Sequence, residues 1–158
     1  MCKWDEALNG GIGMAFLEWD PRFSVRIAEI DQQHKKLIGL INRLYESMQH
    51  GRDRDALQTA IEELSAQATV INEMVEYSSY HFSTEEKYMH QYLYPDYEKH
   101  KNEHEYFINK VRTWKSDFDG GQAILSSQIM KFLKEWLSGH ILGVDKKYEP
   151  FFQAKGLT

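Results

Sequence analysis

Five histidines and two acidic residues fall at helical spacing on otherwise apolar stripes of this sequence: His34, His81 with Glu85, His100 with His104, and His140 with Asp145. Residues four apart on a helix share a face, so His81 and Glu85, like His100 and His104, can reach a common centre. His140 and Asp145 are five apart, which puts them about 140° apart on an unbroken helix. For Asp145 to join the others, the backbone has to end, tighten or bulge between them, and Gly143 is well placed to permit that. Imidazole suits iron, zinc, copper and nickel, and a bridging carboxylate suits a pair of metals. Five neutral nitrogens and two carboxylates are too many for one tetrahedral zinc. They suit two adjacent six-coordinate ions bridged by Glu85 and Asp145, with one position left open. Nitrogen and oxygen ligation without thiolate favours iron over copper(I) or an iron–sulfur cluster.

Taken singly, each element has a plainer explanation. A lone His34 on an apolar stripe is more often a hydrogen-bonded core histidine, Glu85 beside Glu86 could be solvated, and pairs like His100/His104 are common on surface helices. Together, inward histidines at one end of a bundle would leave several buried polar groups without partners unless a metal took them. His50 and His90 lie off the stripes and are expected to have no ligand role.

The elements that must position these side chains are helices. Pro21, Pro95 and Pro150 fall where helices are expected to begin or end, because proline lacks an N–H and clashes with the preceding turn. Between them the apolar period is helical, with no period-2 strand. The first helix is predicted from about Ile30 to Gln49, with Ile30, His34, Leu37, Ile41 and Leu44 inward. The second runs from about Asp55 to Tyr92, with Leu57, Ile61, Leu64, Ile71, Phe82 and Glu85 on its seam. The third opens at Pro95-Asp96 and ends at Gly120-Gly121, turning His100, His104, Phe107 and Val111 inward. The fourth carries Ile129, Leu133, Trp136 and His140 and fades near Gly143. The expected fold class is all-α, an antiparallel up-down-up-down four-helix bundle. Residues 1–28 form an N-terminal arm, with 1–13 flexible on account of their glycines, and residues 29–158 form the bundle. In that topology every candidate ligand falls at one end. The second helix is longer than its neighbours and is expected to overhang, kink or start late. Phe16-Leu17-Glu18-Trp19 is expected to pack across one end of the domain, and Phe151 and Phe152 to fold back onto it.

Composition narrows the class. The 158 residues are 42% apolar and 27% charged with net charge −5, which suits one soluble domain large enough to bury a core. No run approaches the roughly 20 apolar residues of a membrane span, and no signal peptide is evident. The acidic balance argues against nucleic-acid binding. The single cysteine, Cys2, fits a reducing compartment, and a cytoplasmic protein is expected.

On Ile30-Asp31-Gln32-Gln33-His34-Lys35, on His81-Phe82-Ser83-Thr84-Glu85-Glu86, on the His100/His104 pair and on His140 with Asp145, the chain resembles the bacterial hemerythrins. The likeness runs from about Phe16 to Phe152. Glu18-Trp19-Asp20 and Phe23-Ser24-Val25 resemble the family's opening arm, although a glycine is usual there where this chain has Arg26. The resemblance implies that His100, His104 and His140 bind one iron, and that His34 and His81 bind a second with a position open for O₂. It implies Glu85 and Asp145 as bridges, beside a solvent-derived oxo or hydroxo group. The implied activity is reversible O₂ binding as carrier, store or supplier, without catalysis. Sensing of O₂ or redox state through a partner protein is one alternative, and a di-iron peroxide or nitric oxide reductase is the other. Ferritin-like di-iron enzymes use more carboxylates; this chain reverses the ratio, and neutral imidazoles favour Fe(II) over higher-valent iron. Phe82, Trp136 and Leu137, one position or one turn from ligands, are expected to form an apolar O₂ pocket that excludes water.

Overall fold

Pro21 opens a single 3-10 turn, Pro21–Phe23, capped by the Asp20 carboxylate, which accepts from the Arg22 N–H. From there the computed structural model is helical throughout; it describes residues 15–50, 57–121 and 126–158. The helices are α1 (Ala28–His50), α2 (Leu57–Tyr92), α3 (Tyr97–Asp119), α4 (Ser126–His140) and α5 (Lys146–Ala154), the last two joined by a π turn, Ile141–Asp145. No strand occurs among the described residues, and none of their helices is long and apolar enough to cross a membrane. The segment 1–13, expected to be flexible, lies outside the described residues.

Steps of three and four place Ile30, Leu37, Ile41 and Leu44 on the buried stripe of α1. At its first turn Asp31 accepts from the Ser24 hydroxyl (2.5 Å) and the Val25 N–H (2.8 Å), a favourable place for a carboxylate. The turn from α2 to α3 is made by Leu93, which takes φ 56°, while the Tyr94 N–H reaches back to the Met89 carbonyl at 2.8 Å. Pro95 then prevents α2 from continuing. α1 packs on α2 and α4, and α2 on α3. Phe107 against Phe132 and Trp136 ties α3 to α4. The result is the up-down-up-down four-helix bundle that the spacing predicts.

Two apolar clusters fill the interior. The larger includes Leu37, Ile41, Met74, Phe82, Phe107 and Leu137. The smaller gathers Ile27, Ile30, Met89, Tyr94, Tyr148 and Phe152 near the other end. Along each helix the candidate ligands fall between residues of the two clusters, so a polar layer is sealed on both sides.

One open expectation is resolved and four are corrected, the seam position of Leu64 first. From His81 α2 runs back 24 residues to Leu57, while from His34 α1 runs 16 to His50; the excess is about 12 Å at about 1.5 Å per residue. α2 overhangs: none of the described side chains between 62 and 69 is buried, and Leu64, expected on the seam, is 53% exposed. The apolar period continues there without burial. Second, the fourth helix does not fade at Gly143 but widens into the π turn and continues as α5. Gly143 has no left-handed φ, and a Cβ on it would meet nothing within 4 Å, so glycine's freedom is not what allows the turn. Third, Pro150 lies inside α5 and not at a boundary. Its missing N–H costs one bond just after the π turn, where the ladder has already changed register. Fourth, the arm lies along α1 and not across an end. Phe16 stacks on Tyr45, the Asn42 amide clamps the N–H and carbonyl of Leu17, and Ser24 meets Asp31. Arg26, where glycine is usual, sits at φ 58° and pairs with Glu149 at 3.1 Å.

Candidate metal centre

The polar layer is built by five elements. α1 supplies His34, α2 His81 and Glu85, α3 His100 and His104, α4 His140, and the π turn Asp145. The wider turn is what lets residues five apart point the same way. All seven side chains are buried, and five of them (His34, Glu85, Asp145 and, at 1%, His81 and His104) are essentially inaccessible.

The two carboxylates divide their oxygens. Oε1 of Glu85 lies 3.7 Å from Nε2 of both His34 and His81. Oε2 lies 3.7 Å from Nε2 of His100 and 3.1 Å from that of His104. Asp145 turns Oδ2 to His34 at 3.3 Å, and Oδ1 to His100 at 3.2 Å and His140 at 3.1 Å. Two overlapping ligand sets result, one with His34 and His81, the other with His100, His104 and His140. Within each set that shares Glu85, the donor atoms lie within 4.8 Å of one another.

Fit to a metal pair can be tested on the polar atoms themselves. Nε2 of His34, His100, His104 and His140, Oε2 of Glu85 and both Asp145 oxygens are buried without a hydrogen-bond partner. Isolated, such atoms would each cost a substantial fraction of domain stability. Convergent and orphaned, they fit ions. Burial opposes charge on His34 and His100, yet the Asp145 and Glu85 carboxylates lift both to about 9. Burial holds His81 down to about 3. Burial would raise Glu85, but the surrounding imidazoles, His81 first, hold it well below the usual range. Against burial and the charge of Glu85, His140 and His100 do the same for Asp145. Cations are therefore wanted here, and a metal that binds will displace protons from the imidazoles.

Behind these residues stands a second layer. Gln33 Oε1 lies 2.9 Å from Nδ1 of His81, and its amide N–H donates to Thr84 Oγ1 at 3.4 Å. Glu86 Oε1 lies 2.9 Å from Nδ1 of His104. Both partners accept the Nδ1 proton and leave Nε2 free for a metal. Tyr148 donates its hydroxyl to Glu85 Oε1 at 2.5 Å; burial and the two carboxylates push this phenol well above its ordinary range. Sequence reasoning missed all three. Tyr148 had a signal, three residues after Asp145 and so on its face. Gln33 and Glu86 had none beyond adjacency to a ligand.

The three residues expected around an O₂ pocket come together. Phe82 stacks on His104 (4.0 Å, 8°) and Trp136 on His140 (4.3 Å, 14°). With Leu137, and with Leu37, Ile41, Met74 and Phe107, they line an apolar cavity of about 10 Å³, on the order of what one very small molecule needs. His90 is exposed, as expected, and the His50 side chain lies outside the described residues.

A bundle with two histidine sets joined by shared carboxylates defines a class: a helical protein whose buried polar layer suits a pair of metal ions. Residues 25–152 match the family described as hemerythrin HHE cation binding domain. The chain is 35% identical to a bacteriohemerythrin of Stenotrophomonas maltophilia over 135 residues, covering 85% of this chain and 80% of that one. It is 30% identical to a bacteriohemerythrin of Clostridium acetobutylicum, covering 82% and 96%. A crystal structure of wild-type hemerythrin superposes with TM-score 0.75 at 26% identity, covering 86% and 97%. The chain belongs to the hemerythrin family, and its His/Glu/Asp cluster fits a hemerythrin-type di-iron protein.

Proposed function

We propose that this protein binds O₂ reversibly at two iron ions. His100, His104 and His140 would hold one ion, His34 and His81 the other, and Glu85 and Asp145 would bridge them. One observation carries this reading: each carboxylate splits its two oxygens between the two histidine sets, and the sets are unequal. Counting one atom per residue, the His34/His81 position has one protein ligand fewer than its neighbour, and that is where an exogenous molecule has room. When bound, the ferrous pair supplies the electrons and the open position that O₂ requires.

The chain's own residues account for the rest. Gln33 and Glu86 fix the orientation and tautomer of His81 and His104. Phe82, Trp136 and Leu137 keep water from the layer, which suppresses proton-assisted loss of a bound small molecule. The predominance of neutral imidazole over carboxylate favours the ferrous state and so binding over turnover. The single cysteine supports a reducing compartment, such as the cytoplasm.

The test is anaerobic reconstitution with Fe(II), an iron count, and absorption spectra as O₂ is admitted and then purged. Charge-transfer bands that appear and vanish in step with O₂ are expected, at two irons per chain. One-way conversion to a ferric spectrum would refute reversible binding and turn the assignment toward a sensor or reductase.

A further inference from the structure

Four carboxylate oxygens face the two histidine sets, and among the described residues only one of them has a hydrogen-bond donor. Oε2 of Glu85 and both oxygens of Asp145 are orphaned, whereas Oε1 of Glu85 accepts from the Tyr148 hydroxyl at 2.5 Å. That oxygen is the one turned to His34 and His81. The donor is fixed in place. Tyr148 is fully buried, with its ring stacked on His100 (5.5 Å, 26°) and packed against Phe152 (5.0 Å). Its helix is tied to the arm by Lys146, whose Nζ donates to the Ser24 carbonyl at 2.6 Å and to Glu149 at 2.5 Å.

We propose that Tyr148 is the positioning residue that makes the two metal positions electronically unequal. Its O–H competes for a lone pair of Oε1, so the ion beside His34 and His81 meets a weaker carboxylate donor than the ion beside His100, His104 and His140. Hydrogen bonds to an ionised acceptor are the strong ones, and partners of a ligating carboxylate tune the metal through it. Drawing charge from an anionic ligand favours the lower oxidation state. Tyr148 thereby raises the Fe(III)/Fe(II) potential at the position with room for a small molecule. This inference rests on the di-iron reading above and does not require that O₂ bind.

The experiment compares the wild-type protein with Tyr148→Phe and Tyr94→Phe. Tyr94 is packed edge-on against Tyr148 at 6.4 Å, so its variant deletes a hydroxyl from the same cluster without touching the carboxylate. Each protein is loaded with Fe(II) without O₂, its iron is counted, and its midpoint potential is read by spectroelectrochemical titration. All three should hold two irons. Tyr148→Phe should shift the equilibrium toward Fe(III) by about tenfold, a potential lower by about 59 mV per electron, and Tyr94→Phe should match the wild type. An unchanged potential in Tyr148→Phe at full iron content, or an equal shift in both variants, overturns the role of Tyr148. A wild-type protein that takes up no pair of irons removes the parent reading instead.

Discussion

Asp145 reaches the site only because the chain widens into a π turn, and deleting one residue tests that cause. On a regular helix five residues turn about 500°, leaving His140 and Asp145 about 140° apart; four turn about 400°, leaving about 40°. The π turn absorbs the one extra residue. Gly143 is the residue to remove, since it is exposed and a Cβ placed there would touch nothing within 4 Å. In the deletion variant an ordinary α-helix carries His140 and the aspartate on one face, and Tyr148 keeps its spacing of three from that aspartate. Two irons per chain should still bind, with affinity reduced by about 10- to 100-fold at most, the usual cost of imperfect ligand orientation. Inserting one alanine after Gly143 has the opposite effect. Six residues turn about 600°, and the aspartate then points about 120° to the other side. That variant should lose iron as completely as Asp145→Ala. Competition against a chelator under anaerobic conditions measures both affinities, and far-ultraviolet circular dichroism checks that the helices persist. If the deletion variant loses iron as thoroughly as the insertion variant, the account of the π turn as one absorbed residue is wrong.

Other outcomes follow from the same geometry. His34 and His100, raised from 6.5 to about 9, stabilise the iron-free fold fully below about pH 6.5, and that contribution is lost as pH rises through about 9. Glu85 and Asp145, lowered, contribute above their ordinary values of 4.5 and 3.8 and lose it as pH falls. Iron-free protein should therefore unfold most easily in denaturant at both ends of that window, and stability that climbs from pH 6.5 to 9 would contradict the assignment. Leu93→Gly should stabilise the protein by about 1 kcal/mol, because it removes the Cβ clash of a left-handed residue, more than offsetting glycine's added freedom in the unfolded chain, and a side chain 83% exposed has little packing to lose; a lower thermal midpoint would count against it. Leu137→Asn should cost roughly 2–4 kcal/mol of stability and speed irreversible loss of the oxygenated form to the ferric protein, followed by absorption. An unchanged oxidation rate would show that the apolar wall does not exclude water.

Much of this was legible because helices impose a period. Steps of three and four along His34, Leu37 and Ile41, or His100, His104 and Phe107, fix a face, and antiparallel connection brings four faces to one level. What stayed hidden depends on contacts that no period encodes. The Tyr148 hydroxyl meets a carboxylate 63 positions away in the chain, and Gln33 faces His81 across two helices. The exposed Leu64 kept the apolar rhythm although nothing in that rhythm tells a buried face from an exposed one. The π turn was posed as a requirement by the five-residue spacing, but its form, and the continuation through Pro150, came only from how α5 closes over the polar layer.

The division of carboxylate oxygens has a consequence for how the protein fills. Glu85 and Asp145 each face both positions, so the first ion to arrive would fix the orientation of two carboxylates that the second position also needs. A second ion would then meet carboxylates already turned inward, and by reciprocity each would strengthen the hold on the other. Loading should be steep, with half-filled chains scarce at any iron supply. A scarcity of iron would then divide the population into full and empty molecules, and the number of working proteins, more than the state of each one, would follow the metal supply.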